Sequence, residues 1–177
     1  QVLKEVFFHT ELMRRPAIAV AHWFVMVGFL IGSLVWFEAY IQTFNPAGGW
    51  PLLSQWSLYH FAEEVLAIGT VLGIGFLFAI RLSTGMRERL SRFYGSNALS
   101  AFFVEGVIFL EGTGMLLVKA GKIATYGHAS PWADFFTQYL ARFLPASPIM
   151  VSAFALFKLL VGMVWLVVVA RNLTWGV

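Results

Sequence analysis

Seven ionisable side chains stand where this sequence is otherwise apolar: His22, His60, Glu63, Glu64, Glu105, Glu111 and Lys158. Glu38 lies at the margin of the same kind of segment. An ionised group in a bilayer costs roughly 3 kcal/mol or more and persists with a partner or a task. His60, Glu63 and Glu64 fall at i, i+3 and i+4, so one helix face carries all three. Carboxylate, imidazole and ammonium groups in apolar surroundings can store and pass protons. A quinone takes up two protons when it is reduced, so such a set suits one end of a quinone pocket. The plainer reading is an ion pair of Lys158 with Glu111 or Glu63 that neutralises itself and fixes helix register.

His22 offers different chemistry. Imidazole is the usual axial ligand of a membrane haem b. Gly28 and Gly32 on the same segment leave room for a flat macrocycle, or simply for helix packing. Arg14 and Arg15, one to two turns before His22, are placed to meet haem propionates. His60 belongs near the opposite membrane face, as a ligand or quinone contact of the outer side, and cannot share an iron with His22. Met163 falls at a depth comparable with His22 and is a possible second ligand. Its simpler role is core packing. Otherwise the second ligand lies beyond Val177 or on another chain.

These residues must be held by helices. A spanning helix needs about 20 apolar residues, and four segments meet this: about 17–41, 58–80, 98–118 and 149–170. The composition agrees, with 59% hydrophobic and 12% charged residues. That excludes an ordinary soluble globule and a disordered chain. The net charge of +3 is too small and scattered to point to nucleic acid. No cysteine is present, so this chain alone holds no iron–sulfur cluster and no thiolate metal site. The Gly69, Gly73, Gly75 run falls mid-span and reads as packing.

Lys and Arg sort by side. Eight lie before span one, between spans two and three, or after span four, against three in the other loops. This places both termini in the cytoplasm of a multi-pass plasma-membrane protein. Residues 1–16 read as a cytoplasmic interfacial helix. Residues 131–143 follow Ser130-Pro131 and carry Trp132, Phe135, Phe136, Tyr139, Leu140 and Phe143 at helical spacing, which predicts an interfacial helix on the outer face. Residues 172–177 read as a cytoplasmic end that is cut short. The expected fold is an all-α integral membrane domain, a four-helix transmembrane bundle (17–171) with short interfacial helices.

Several segments carry a resemblance: RRPAIAVAHWFVMVGF (14–29), FNPAGGWPL (44–52), HASPW (128–132) and LPASPIMVSAFALFKLLVGMVWLVVVARNLTWGV (144–177). Together they resemble the amino-terminal membrane domain of actinobacterial iron–sulfur-binding reductases related to heterodisulfide reductase. That domain is similar to the haem-binding gamma subunit of respiratory nitrate reductase. The resemblance implies a cysteine-rich iron–sulfur domain or subunit on the cytoplasmic side. It implies electron flow from electron-transfer flavoprotein, in fatty-acid β-oxidation, through clusters and haem b to menaquinone. His22 matches the family's first-span ligand. A further His that the family carries after its fourth span is absent here. The nitrate-reductase type also uses His on the first and last spans for an outer haem. Here the fourth span has Lys158 instead, which implies one haem.

The expected function is therefore a cytochrome b-like electron-transfer module that reduces menaquinone. His60, Glu63, Glu64, Glu111 and Lys158 are its expected quinone or proton site. Two other classes fit the same residues. A haem-free proton-coupled transporter would show substrate-dependent proton flux. A structural anchor for a redox partner would pair its polar groups internally.

Overall fold

The computed structural model describes residues 16–83 and 98–175, which are mostly helical with no strand among them. The expected helix over 1–16, except Pro16, which opens the first long helix, and Arg14, Arg15 and the loop 84–97 lie outside the described residues. Four helices are long: α1 (Pro16–Phe44), α2 (Ser57–Ser83), α3 (Ala98–Tyr126) and α5 (Pro148–Trp175). A short α4 (Thr137–Leu140) precedes α5.

Among the described residues three helices are long and apolar enough to cross a membrane: Pro16–Phe44, Ser57–Ile80 and Pro148–Val168. They make the chain compatible with a lipid bilayer. The helix α3 is as long as α1 at 29 residues but carries Glu105, Glu111, Lys119 and Lys122 along its length. It also runs two turns past the expected end at residue 118. The apolar run stops there, but the backbone has no reason to stop before Gly127. That residue takes a left-handed φ of 74° and its N–H bonds the Ile123 carbonyl, closing the helix.

Packing follows the chain. The helix α1 lies against α2 and α5, and α3 lies against the same two. Neighbours run antiparallel: Thr70 meets Phe24, Gly112 meets Ala67 and Val71, and Gly121 meets Val151. Small residues allow the close approach, as expected for helices that gain little from hydrophobicity in lipid. Gly28 faces Thr70 and Gly69 faces Phe24 so closely that a methyl group would collide. Gly28 is thus a packing residue. Gly32 meets nothing within 4 Å and faces open space. A compact seam of Ala39, Val118, Val151 and Ala155 joins α1, α3 and α5.

The ends of α1 and α3 and the starts of α2 and α5 meet at one side, here called the distal end. It carries the connections 45–56 and 127–147. The expected single helix over 131–143 is instead turns, the one-turn α4 and a 3-10 turn at Ala141–Phe143. A continuous helix would send the Phe136 and Thr137 N–H groups to carbonyls four residues back. Both go to Glu64 Oε1 instead, each at 2.6 Å. A buried carboxylate is the stronger acceptor, and the helix gives way to it.

Candidate functional site

The distal end is organised around Lys119, the last-turns lysine of α3. Its ammonium group has three N–H donors and uses each. It lies 2.7 Å from Glu64 Oε2 and 2.9 Å from Asp134 Oδ1, and donates to the His60 carbonyl at 2.6 Å. Glu64 is fully buried and its four acceptor positions are filled. Besides Lys119 and the two backbone N–H groups, it takes the Thr137 hydroxyl at 2.7 Å. The pair thus ties α2, α3 and the 130–137 segment together.

Asp134 completes this knot. The Ser130 N–H donates to its Oδ2 at 2.7 Å, and His60 Nδ1 stands 3.4 Å from its Oδ1. Burial by itself would raise the Asp134 carboxyl. The His60 ring, the Lys119 ammonium and the Ser130 N–H outweigh it and hold the group well below the usual carboxylate range. His60 Nε2 is 2.9 Å from the Ser54 carbonyl. A carbonyl only accepts, so Nε2 carries a proton and Nδ1 is the ring position that gains or loses one.

Beside the knot lies a cavity of about 690 Å³, within the size range of small-molecule sites. Its ionisable lining is Glu38, Tyr59, His60, Glu63, Lys119, Lys122, Tyr126, His128 and Asp134. Tyr59 donates its hydroxyl to Glu38 Oε2 at 2.9 Å, and Gln42 donates to Oε1 at 3.2 Å. Lys122 donates to the Gly48 carbonyl at 2.9 Å and so fixes the 45–56 loop. Three carboxylates, two phenols, two imidazoles and two ammonium groups therefore converge on one space walled by apolar helices.

Deeper in, Lys158 is 1% exposed. Its stem lies along Gly114, where a side chain would crowd it, and its Nζ donates to the Val35 carbonyl at 2.8 Å. The expected contact ion pair with Glu111 or Glu63 is not formed. Those two carboxylates and Glu38 act on Lys158 through space. Glu111 Oε1 is buried with no hydrogen-bond partner among the described residues. Glu111 borders a second, smaller cavity of about 170 Å³ between α1, α3 and α5.

Of the expected site residues, His60 and Glu63 line the large cavity, and Glu64 sits behind its wall as a structural anchor. Lys158 and Glu111 lie deeper. His22 stands apart, exposed on α1. Met163 cannot share an iron with it. Met163 follows Gly162, which abuts Trp36, and its sulfur takes the Tyr40 hydroxyl at 3.7 Å. Trp36 is roughly four turns beyond His22 on α1. The other described histidines, His60 and His128, belong to the distal end. The described residues therefore do not make a two-ligand haem site by themselves, and no group of three or more His, Asp or Glu among them is set to hold a metal ion.

Sequence reasoning missed Lys119, Asp134, Tyr59 and Lys122 as site residues. The apolar run ends at Val118, which by hydropathy alone assigns Lys119 and Lys122 to a loop. Helical spacing was the available signal, since Glu111, Met115, Lys119 and Lys122 follow one another at intervals of four, four and three. No protein-family model, curated protein or solved structure matches the chain.

Proposed function

We propose that this chain is the membrane part of a quinone-reducing oxidoreductase. In this reading α3 also spans, giving a four-helix transmembrane bundle with both termini in the cytoplasm of a plasma-membrane protein. Electrons come from a cytoplasmic iron–sulfur or flavoprotein donor, in line with the resemblance to reductases fed by electron-transfer flavoprotein, and menaquinone accepts them. One observation carries the reading: the distal cavity, where proton-exchanging groups converge inside an apolar helix assembly.

The residues take distinct parts. The quinone head lies in the cavity with its two carbonyl oxygens among Tyr59, His60 and Glu63. Two electrons and two protons convert it to the quinol. The Tyr59 hydroxyl turns from Glu38 to one oxygen and gives up its proton, and the phenolate is reprotonated through Glu38 once that carboxylate has taken up a proton from the distal side. Glu63 serves the other oxygen, with the His60 ring beside it and its Nδ1 turned toward Asp134. Lys119, fully committed to Glu64 and Asp134, holds the wall and keeps His60 in place. Lys158 stabilises negative charge that develops on the head before protonation, acting from just below the cavity. No step is assigned to a haem at His22. An iron there would take its second ligand from outside the described residues.

The test is a titration of the reconstituted protein with a water-soluble menaquinone analogue, read by tryptophan fluorescence. The wild type binds in the micromolar range or tighter. Tyr59→Phe and Glu63→Gln each weaken binding or reduction by about tenfold or more. Unchanged binding and turnover in both variants would remove the cavity from quinone chemistry.

A further inference from the structure

The small cavity has a composition opposite to the large one. Its walls are Gly32, Trp36, Phe37, Trp165 and Leu166, with Glu111 at one side. The two hydroxyls beside it are committed. Thr70 donates to the Phe24 carbonyl at 3.3 Å, and Ser33 donates to the Leu30 carbonyl at 2.6 Å. A buried water needs two to four polar partners, and the side chains of this lining offer one, the unpartnered Glu111 Oε1. A dry cavity of about 150 Å³ is known to take a benzene-sized apolar group. At about 170 Å³ this one accepts a five- or six-carbon unit.

Its position relative to the large cavity gives it a use. Met115 lines both spaces. On the opposite side the small cavity reaches the outer surface of the helices, where Phe37 is 52% and Leu166 42% exposed. A molecule with a polar head in the large cavity and an apolar chain would therefore pass Met115, fill the small cavity and leave between α1 and α5 toward lipid.

We propose that the small cavity is the seat of the first isoprene unit of the quinone tail. This rests on the quinone reading of the large cavity and adds a second, separate subsite. It makes the chain selective for tailed quinones over bare head groups, and it makes access lateral, from the bilayer.

Gly32 allows a clean test. A side chain at Gly28 would collide with Thr70, and one at Gly162 with the Trp36 indole, but one at Gly32 meets nothing within 4 Å. Gly32→Leu therefore fills the cavity without disturbing helix packing. The measurement compares three naphthoquinones, with no tail, one isoprene unit and several units, for binding to wild type and to Gly32→Leu. In the wild type the first unit strengthens binding about tenfold or more, as burial of five carbons requires. In Gly32→Leu that gain disappears while the tailless compound binds as before. Leu166→Trp, which fills the same space from α5, repeats the result if Gly32→Leu does not fold. A tail gain of equal size in the filled variants overturns the subsite and leaves the quinone site standing. Failure of the wild type to bind any of the three compounds overturns both.

Discussion

The Lys119 level and the Lys158 level of this molecule hold the same kinds of charge and treat them in opposite ways. Lys119 contacts two carboxylates and a carbonyl, and Glu64 beside it has no free lone pair. Lys158 is more deeply buried, yet it touches only the Val35 carbonyl, and the nearby Glu111 leaves one oxygen unbonded. A buried charge with every valence filled is architecture: it costs much to break and has nothing to give a ligand. A buried charge left under-bonded stores free energy that a ligand can release. The large cavity lies between the two levels, held by the first and biased by the second.

Breaking the saturated level should have the largest effect. Lys119→Met leaves Glu64 and Asp134 buried without their cation, and should cost about 3–5 kcal/mol in denaturant unfolding of the detergent-solubilised protein. Lys158→Met should do the reverse. It removes a poorly compensated charge and keeps the apolar stem, so the unfolding midpoint should stay or rise while quinone reduction falls by about a hundredfold. A Lys158→Met protein that is unstable but fully active would invert the comparison. Glu64→Gln should behave as a milder Lys119→Met, losing about 2–3 kcal/mol because an amide cannot accept from all four of its present donors. Limited proteolysis should then cut within 128–137 before the helices, with quinone affinity preserved in the intact fraction. The smallest effect should come from pH. The Asp134 carboxyl is held low in the fold, so its contribution is complete above about pH 4, its ordinary unfolded value. It is lost as pH falls from there through the lower folded value. Asp134→Asn should flatten that acid limb of the unfolding curve and leave the neutral region parallel to wild type.

The helices were legible because apolar length is a sequence property. The residues 17–41, 58–80 and 149–170 differ from α1, the crossing part of α2, and α5 only at their ends. The clustering of His60, Glu63 and Glu64 on one face also followed from spacing. What the spacing could not show was which of the three looks into the cavity and which looks away. That depends on the 130–137 segment, which Glu64 folds by capturing two backbone N–H groups from a distance of about seventy residues. The interfacial helix failed for the same reason: its periodicity is real, but a tertiary acceptor outcompetes the local one. Lys119 was hidden because hydropathy marks where lipid-like sequence ends, and helices are free to continue past it. The expected pairing of Lys158 with Glu111 or Glu63 needs side-chain direction, which residue number does not carry.

The most direct test of the account is infrared difference spectroscopy of the reconstituted protein as bound menaquinone is reduced. If the distal cavity couples electrons to protons, reduction should perturb carboxyl bands, and Glu63→Gln should remove part of that signal while Glu64→Gln leaves it. Reduction of bound quinone with no carboxyl change, or the same change in all three proteins, would contradict the account.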